Sequence, residues 1–336
     1  MNMKVAVVIP NLNGEKYLQE SLTSLLEQSY PCKIIVVDNA SSDKSVEIVR
    51  KNKDVQLIEN TENLGFAGGV NTGIRYALDN GFDAVALFNN DAIAKKDWLE
   101  QLVKVLDDNK NTGIITCFFQ KIDKKHIDST GDIYTSWGLP YPRDRDLLVS
   151  ETHRTAIEPV FGASGGASLY RASMLRKIGL FDEDFFAYYE DIDISFRAQL
   201  AGYKILFTPK AVAFHIQGAT SSKISGFATY QTFKNYPLIL VKNVPRSMFL
   251  GIYIRFSIAY LSIFISSSLK GNFVSAFKGW LMFVRLFPKK LKERRTIQRT
   301  SVVDKAYLKT IITNDLPPDA KKLRTFRRIF TFGIVK

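Results

Sequence analysis

The sequence predicts an open, mostly parallel α/β sheet flanked by helices, followed by a basic, mainly helical C-terminal region. Short apolar runs alternate with amphipathic stretches over the first 230 residues, and the runs begin every 22–30 residues, which is the size of a strand–helix–strand unit. A third observation, the uneven distribution of charge, predicts the C-terminal region. With 336 residues, 46% of them hydrophobic, the chain can bury a large core, which excludes a disordered, collagen-like or disulfide-stapled protein.

Five of the apolar runs are predicted to be strands, and the amphipathic stretches between them to be helices. The runs are rich in Val and Ile with little alternation, which is typical of strands covered by helices on both faces. Leu18, Leu22 and Leu25 mark one helical face, and a second helical face lies at 98–106. Parallel strands in such a sheet are joined by right-handed crossovers. The predicted strands span residues 4–9, 33–37, 55–58, 84–88 and 114–118.

Two features of the sequence favour the cytosolic side of the membrane. Cys32 and Cys117 form no CxxC pair, and unpaired cysteines of this kind suit a reducing compartment. The apolar run at 5–9 is too short for the core of a signal peptide, and it ends at Pro10. We therefore expect that this N-terminus does not direct export.

The positive charge is concentrated at the C-terminus. The net charge is +13, but residues 242–336 alone carry 20 Lys and Arg against 4 Asp and Glu, so the rest of the chain is slightly acidic. This split predicts a near-neutral domain joined to a basic region, and we place them at 1–230 and 231–336. A basic region of this kind binds an anionic partner, either nucleic acid or lipid.

The apolar stretch at 248–287 favours lipid as that partner. Arg255 and Lys270 bracket only fourteen uncharged residues, fewer than the about 20 that a spanning helix needs. Aromatic residues mixed with Lys and Arg are typical of helices in the headgroup layer, and a basic run follows at 288–295. We expect peripheral binding to an anionic membrane surface and no nucleic-acid partner. The alternatives are a transmembrane hairpin, a nucleic-acid-binding tail and a soluble helical subdomain with a basic face.

Polar residues follow the first four predicted strands, at the edge where such sheets bind their ligands. Amides of a Gly-rich helix start can approach a diphosphate closely, and carboxylates hold hard cations. The sequence lacks GxGxxG after the first strand and GxxxxGK[ST] throughout, so the pattern indicates a nucleotide site of neither the dinucleotide nor the P-loop kind. Helix caps and ordinary turns are the alternatives. The residues are Pro10, Asn11, Asn13, Asp38, Asn39, Gly65, Gly68, Gly69, Asn71, Asn89, Asn90 and Asp91.

Two further groups carry candidate chemistry. Glu190 and Asp191 open an amphipathic helix, where they either complement the helix dipole or supply a general base that the helix N-terminus keeps ionised. His215 ends an apolar strand, and it is either a structural histidine or a ligand for Mn²⁺ or a similar ion.

Taken in order, these motifs resemble those of family 2 glycosyltransferases of the GT-A fold. The matching blocks are Val-Val-Ile-Pro-Asn-Leu-Asn-Gly at 7–14, the loops that contain Asp38 and Gly65, Asn-Asn-Asp at 89–91, a small-residue block at 162–171 and Glu-Asp at 190–191. The resemblance covers about residues 4–220 and is strongest to the bacterial rhamnosyltransferase-like enzymes that build surface polysaccharide. Asn89 departs from the pattern, because many relatives carry the first Asp of an Asp-X-Asp metal motif there, and an amide offers a cation less charge.

The resemblance implies a donor side and a metal site. Residues 1–118 would form the half that binds a dTDP- or UDP-sugar, and Asp38 would contact the nucleobase. Asp91, His215 and Asn89 would hold Mn²⁺ or Mg²⁺. Asp191, with Glu190 beside it, would be the catalytic base of an inverting transfer.

The resemblance also implies an acceptor side, in residues 119–230. Gly165 and Gly166 would leave room for sugar rings, and Trp137 belongs to the segment 119–157, which we expect to be polar, poor in strands and responsible for acceptor choice. The acceptor would be a hydroxyl of a lipid-linked glycan or polysaccharide at the cytoplasmic face of the plasma membrane. A nucleotidyltransferase on the same fold and a non-catalytic scaffold that binds nucleotide sugar or glycan are the alternatives.

Overall fold

The computed structural model describes residues 3–216, 225–318 and 320. The first half alternates strands with helices, as predicted, and all five predicted strands are present. The elements are β1 Val5–Asn11, α1 Leu18–Leu26, β2 Cys32–Asp38, α2 Ser45–Arg50, β3 Gln56–Glu59, α3 Gly65–Asp79, β4 Ala84–Phe88, β5 Ala92–Ala94, α4 Trp98–Asp108 and β6 Thr112–Lys121.

The second half begins with short strands and ends in long helices. Its elements are β7 Ile127–Ser129, β8 Asp132–Thr135, β9 Pro140–Pro142, β10 Glu158–Pro159, β11 Ala167–Arg171, α5 Ala172–Ile178, α6 Glu190–Leu200, β12 Lys204–His215, α7 Phe227–Asn243, α8 Arg246–Ser267, α9 Phe273–Thr300, α10 Lys305–Ile311 and β13 Ile312–Thr313.

The main sheet is mixed but mostly parallel, with the order β10-β12-β6-β11-β4-β1-β2-β3. The strands β4, β1, β2 and β3 run parallel, and β11 runs antiparallel between β4 and β6. Helices cover both faces with two apolar layers, which explains why β4 is buried along its whole length. The carboxyl ends of β1, β2, β3 and β4 therefore meet at one edge.

The prediction that residues 119–157 are poor in strands is wrong. This segment holds the end of β6, all of β7, β8 and β9, and an antiparallel pairing of β8 with β9. It also pairs with the far end of the chain, because β13 adds to β8 as a parallel strand. A partner about 180 residues away along the chain leaves no periodic signal in the local sequence.

The C-terminal helices pack against the sheet domain through buried charges. Lys242 lies within 2.5 Å of Asp182 and 2.9 Å of Asp193, and Lys290 contacts Asp182 and Asp184. Both lysines are almost fully buried. Helix α7 contains residues 230 and 231, so the predicted domain boundary falls inside it.

Helices α8 and α9 form a bent hairpin. The chain between them, Ser268–Asn272, forms a π-turn with Gly271 at φ 82°. Among the described residues, one helical stretch, Arg246–Thr300, is long and apolar enough to cross a membrane by length and composition. The sequence analysis expected these segments to be too short for a membrane-spanning helix. By length and composition that expectation is wrong, because α8 continues through Arg255 for 22 residues, about 33 Å.

Candidate functional site

The carboxyl edge of the sheet opens into a cavity of about 1650 Å³. Strands β1 and β4, the loop before β11, the start of α6 and the end of β12 each contribute to its wall. The cavity brings together twelve of the residues predicted from sequence: Pro10, Asn11, Asn39, Gly65, Asn89, Asn90, Asp91, Gly165, Gly166, Glu190, Asp191 and His215.

Asp38 lies beneath this wall rather than on it. Its Oδ1 accepts hydrogen bonds from Asn11 Nδ2 at 2.8 Å and from Ser41 Oγ at 2.6 Å, and its Oδ2 accepts from the Ser41 amide at 2.8 Å. Only 3% of Asp38 is exposed. Asn13 likewise ties the same loops together, because its Oδ1 accepts from the Ser42 amide at 2.8 Å. In this structure both side chains order the loops behind the cavity.

The Gly-rich stretch is helical from Gly65 onward. Gly65 has φ +70°, and a Cβ there would lie 2.4 Å from the Phe186 carbonyl oxygen, so glycine is required for this close approach. A Cβ at Gly69 would lie 2.7 Å from the Asn39 amide, and one at Gly68 would lie 2.5 Å from Leu64 Cβ. Asn71 donates to the Phe181 carbonyl at 2.8 Å. Gly68, Gly69 and Asn71 thus serve packing, and none of them lines the cavity.

Asn89, Asp91 and His215 converge on one point at the cavity wall. His215 Nε2 lies 3.2 Å from Asp91 Oδ1 and 3.2 Å from the Asn89 side-chain amide. Strand β12 places His215 beside β5, where it pairs with Ala92, the neighbour of Asp91. One imidazole nitrogen, one carboxylate and one amide therefore share a site, a mixed N and O set that suits Mn²⁺ or a similar cation.

A residue that the sequence analysis missed holds the histidine in place. Asp128 Oδ2 lies 2.8 Å from His215 Nδ1, and Phe119 stacks on the ring with centroids 4.7 Å apart. Burial lowers the pKa of His215, but hydrogen bonds to Asp128 and Asp91 outweigh that effect and raise it to about 9. A carboxylate on Nδ1 orients the ring so that Nε2 faces Asp91 and Asn89, an arrangement that metal-binding histidines commonly use; a metal bound there would replace the Nε2 proton.

A second acidic cluster is occupied by protein cations. Asp182, Asp184 and Glu293 have carboxylate oxygens within 4.8 Å of one another. The Lys290 ammonium lies 2.5 Å from Asp182, 2.7 Å from Asp184 and 3.0 Å from Glu293. It already neutralises these charges, so this cluster ties α9 to the sheet domain.

Asp191 is the carboxylate at the start of α6 that faces the cavity. Its Oδ2 accepts from the Gly165 amide at 3.2 Å, and its Oδ1 accepts from the Ile192 amide at 2.9 Å. Burial raises the pKa of Asp191 despite these hydrogen bonds. The loss of water on burial thus outweighs the three backbone donors in its effect on this pKa.

Glu190 is the less accessible member of the acidic pair. Only 5% of it is exposed, and its Oε2 has no hydrogen-bond partner among the described residues. Burial and the neighbouring charge of Asp191 raise the pKa of Glu190 well above its usual range. Of the two carboxyls, Asp191 is therefore better placed to accept a proton from a bound molecule.

The turn before α6 is strained and is held by a C-terminal helix. Phe186, Tyr188 and Tyr189 all have positive φ between 62° and 72°, which is costly for bulky residues. The buried Asn235 of α7 donates to the carbonyl oxygens of residues 185, 187 and 188 at 3.1, 3.0 and 2.7 Å. Helix α7 thereby helps to fix the position of Asp191.

The wall of the cavity where we expected the acceptor side comes largely from residues 127–146. Gly166 packs tightly against its neighbours, because a Cβ there would lie only 3.0 Å from both Asn89 and Phe119. A residue without a side chain is therefore favoured at this position. Trp137 does not reach the cavity; it packs in the apolar cluster under the C-terminal helices. Tyr141, in the segment expected to govern acceptor choice, lines the cavity. Liners that were not predicted include Asp132 and Arg145, and Arg145 pairs with Asp128 at 3.0 Å.

Comparison with known proteins finds sugar transferases. The low-salt glycan biosynthesis hexosyltransferase Agl10 of Haloferax volcanii is 26% identical over 294 residues, 86% of this chain and 86% of that protein. The dTDP-rhamnosyl transferase RfbF of Shigella flexneri is 27% identical over 255 residues, 72% of this chain and 82% of that protein.

A solved structure shares the fold. The mannosyltransferase PcManGT of Pyrobaculum calidifontis, in complex with GDP-Man and Mn²⁺, matches with a TM-score of 0.54 and 17% identity, over 89% of this chain and 86% of that chain. The fold is therefore GT-A. The family model for glycosyl transferase family 2 matches residues 6–179, slightly more than half of the chain. The chain belongs to glycosyl transferase family 2.

Proposed function

We propose that the protein is a metal-dependent, inverting glycosyltransferase that moves a sugar from a dTDP- or UDP-sugar to a hydroxyl of a lipid-linked glycan or polysaccharide. Rhamnose is the first sugar to test, and cell-surface glycan synthesis is the process we assign. The observation that carries the proposal is the shared cavity, which brings a candidate base, Asp191, together with the cluster of Asn89, Asp91 and His215.

Relatives support the choice of donor. One is a dTDP-rhamnosyl transferase, and another is a hexosyltransferase of glycan biosynthesis. A structural neighbour binds GDP-Man together with Mn²⁺. The rhamnosyl transferase and the mannosyltransferase are both named with a nucleoside-diphosphate donor, so we extend that donor class to this chain and leave the nucleotide to experiment.

Asn89, Asp91 and His215 would hold Mn²⁺ or Mg²⁺. When bound, the cation supplies positive charge that neutralises the leaving nucleoside diphosphate. Asn89 contributes an amide rather than a carboxylate, so the set carries one formal negative charge from Asp91. Asp128 holds the His215 ring so that its Nε2 faces the other two side chains. We expect moderate affinity for the metal.

Asp191 would perform the proton transfer. In the reaction, an acceptor oxygen forms a bond to the anomeric carbon, the bond from that carbon to the diphosphate oxygen breaks, and the acceptor proton passes to Asp191. Its raised pKa makes it a stronger base than an exposed aspartate, which favours proton transfer near neutral pH. The Gly165 amide orients Oδ2, and the strained turn at 186–189 fixes the start of α6.

The C-terminal helices would place this site on the cytoplasmic face of the plasma membrane. Exposed Arg255, Lys278 and Arg285 interrupt the apolar surface of α8 and α9, a pattern that fits helices at the headgroup level better than a full crossing. A lipid-linked acceptor would then lie at the same surface as the cavity.

Thermal unfolding of the detergent-purified protein with dTDP, UDP, GDP or CMP, each with and without Mn²⁺, tests the donor site. A nucleotide at 100 times its dissociation constant should stabilise the fold by about 2.7 kcal/mol. We expect dTDP or UDP to raise the melting temperature, and EDTA to reverse the rise.

Two variants make this test specific. Asp91→Asn should remove the Mn²⁺-dependent part of the shift, whereas Glu62→Gln, an exposed carboxylate on the loop after β3, should keep it. If none of the nucleotides shifts the melting temperature, the proposal fails, and the non-catalytic scaffold, which the neutral Asn89 favours, replaces it.

A further inference from the structure

Helix α8 exposes a row of large apolar residues, although the few positions that it buries, Ile252, Phe256 and Ala259, are apolar as well. Its large hydrophobic residues are strongly exposed on one side, whereas its buried positions are few. In a water-soluble domain the arrangement is the reverse, and exposed apolar patches of this size mark an interaction surface. The outer face consists of Leu250, Ile254, Ile258, Leu261 and Ile265, and it continues past the bend with Leu269, Phe273, Val274 and Phe277.

A flank of α8, turned by about 100° from this outer face, lines the cavity that contains Asp191, and we call it the inner face. Ser262 and Ser266 are four residues apart on this flank; Lys270 follows in the turn after α8, and all three line the cavity. The helix is therefore a wall between the candidate active site and the exposed apolar surface. A molecule that lies along this wall meets serine hydroxyls and one ammonium group.

Lys270 has a surrounding that differs from that of the buried lysines. Lys242 and Lys290 are neutralised by Asp182, Asp184 and Asp193, whereas no ion pair joins Lys270 to an acidic group of the described residues 3–216, 225–318 and 320. Its neighbour Leu269 is 83% exposed. A cation at this bend is thus available both to the cavity and to the apolar surface.

The positive charge of the hairpin indicates which partner binds the outer face. Between residues 246 and 300 the sequence has 11 Lys and Arg and 1 Glu. Such a surface binds an anionic bilayer, because apolar burial and attraction to lipid phosphates add together. With the outer face in the headgroup layer, the bend that carries Lys270 lies at the level of lipid phosphates.

We infer that the inner face of α8 is a binding track for the acceptor, in which Lys270 contacts the phosphate of a phosphate-linked glycolipid while its glycan extends toward Asp191. The inference rests on the proposed function for the class of acceptor. It adds that Lys270 is the residue that binds the acceptor phosphate. The lipid tail stays in the bilayer beside Leu269 and Phe273, and the hydroxyls of Ser262 and Ser266 face the glycan.

Vesicle flotation of the full chain tests this track. The probes are phosphatidylcholine vesicles that contain either phosphatidylglycerol or a long-chain polyprenyl phosphate, matched in surface charge. The wild type should prefer polyprenyl phosphate. Lys270→Ala should lose that preference by about 10-fold, because a hydrogen-bonded charge contact is lost, and Lys270→Arg should retain most of it.

Lys278→Ala is the matched control, since Lys278 is exposed on the same hairpin but does not line the cavity. Both alanine variants should lose about 5-fold of general binding to anionic vesicles, and only Lys270→Ala should lose the preference. Equal preference in the two variants, or no preference in the wild type, would overturn the inference. Nucleotide-induced stabilisation, measured in parallel, should be the same in all variants, so a failed donor site is distinguished from a failed acceptor track.

Discussion

The sheet domain and the α8–α9 hairpin place their apolar side chains in opposite directions, although both contribute walls to one cavity. In β4 every residue is buried, whereas in the 22 residues of α8 only Ile252, Phe256 and Ala259 are. The sheet domain places polar residues in the loops at the strand ends, and three serines near the end of α8, Ser262, Ser266 and Ser267, line the cavity. One part is organised for water and the other for a lipid surface.

This difference assigns separate tasks to the two parts. Changes at the sheet edge should abolish chemistry and leave membrane binding intact, whereas changes on the outer face of the hairpin should weaken membrane binding and leave nucleotide binding intact. Changes at the joint, where α7 and α9 meet the sheet domain through buried charges, should weaken both. Each of the following substitutions tests one side of this separation.

The largest effect is expected at the sheet edge. Asp191→Asn removes the group that accepts the acceptor proton, so turnover should fall by about 10²–10⁴-fold. Nucleotide-induced stabilisation and vesicle binding should be unchanged, because the amide keeps the shape of the side chain. Nucleotide release from the donor in the presence of acceptor measures the turnover.

Unchanged turnover in Asp191→Asn would remove the proposed base. A parallel loss of vesicle binding would contradict the separation of tasks. The pH dependence adds a check: since burial raises the pKa of Asp191, activity that depends on its ionised form should rise with pH on the acidic side, and the half-maximum should lie above about 4.

The joint should show the next largest effect, on stability. Lys242→Met removes the cation that Asp182 and Asp193 share, while Lys290 stays beside Asp182 and Arg197 stays beside Asp193. Breaking a buried ion pair on one side costs about 3–5 kcal/mol, and because these cations remain we expect a loss near the lower end of that range. Lys289→Met is the control, because Lys289 pairs with Asp184 at 2.6 Å but is 59% exposed, and surface pairs contribute at most about 1 kcal/mol. Urea unfolding at pH 7 measures both free energies.

Acid provides a second readout of the same joint. Burial raises the pKa values of Asp182 and Asp193, but Lys242 and the neighbouring cations outweigh burial and lower both. Because these folded-state pKa values lie below the unfolded value of about 3.9, the stabilisation is present at neutral pH and is lost as the pH falls below about 4. The difference between the wild type and Lys242→Met should therefore shrink in acid; a constant difference would contradict this account.

The hairpin should control membrane binding. Leu269→Glu replaces the most exposed leucine at the bend with a charge, and withdrawing one leucine from the bilayer costs about 2 kcal/mol, which is about a 30-fold loss of binding to anionic vesicles. Leu26→Glu is the matched control, since Leu26 is 43% exposed at the end of α1 and should not affect binding. Equal losses in the two variants would show that general charge, and not insertion of the hairpin, governs binding.

Much of the fold could be predicted because its signals are local. The Val- and Ile-rich runs of β1, β2 and β4 and the leucine face of α1 need only their own sequence to be recognised. The pairing of β8 with β13 and the burial of Lys242 depend on partners far along the chain. A basic residue count predicts a charged surface, and it cannot show which lysines are neutralised inside.

The site was predictable where it follows strand ends. Asn89, Asp91, His215 and Asp191 were singled out by position and residue type, and the fold brings them to one cavity. Asp128 was missed because its role depends on contact with His215 across β6 and β12, and it sits in a segment without a recognisable motif. Asp38 and Asn71 were predicted as site residues but do not line the cavity. Their polar atoms form hydrogen bonds within the protein instead.

The smallest effects should come from two glycines, one in each part. A Cβ at Gly73 in α3 would lie 2.4 Å from Val8 Cγ1 and 3.1 Å from Val37 Cγ2, in the packed layer between helix and sheet, so Gly73→Ala should destabilise the protein by about 1–3 kcal/mol. A Cβ at Gly251 in α8 meets no atom within 4 Å among the described residues. Gly251→Ala should therefore stabilise the helix by about 0.5–1 kcal/mol. In urea unfolding, the two substitutions should change the free energy of unfolding in opposite directions, because Gly73 is packed between helix and sheet whereas Gly251 faces outward. If Gly251→Ala destabilised the protein, the outer face of α8 would be covered by protein rather than available to lipid.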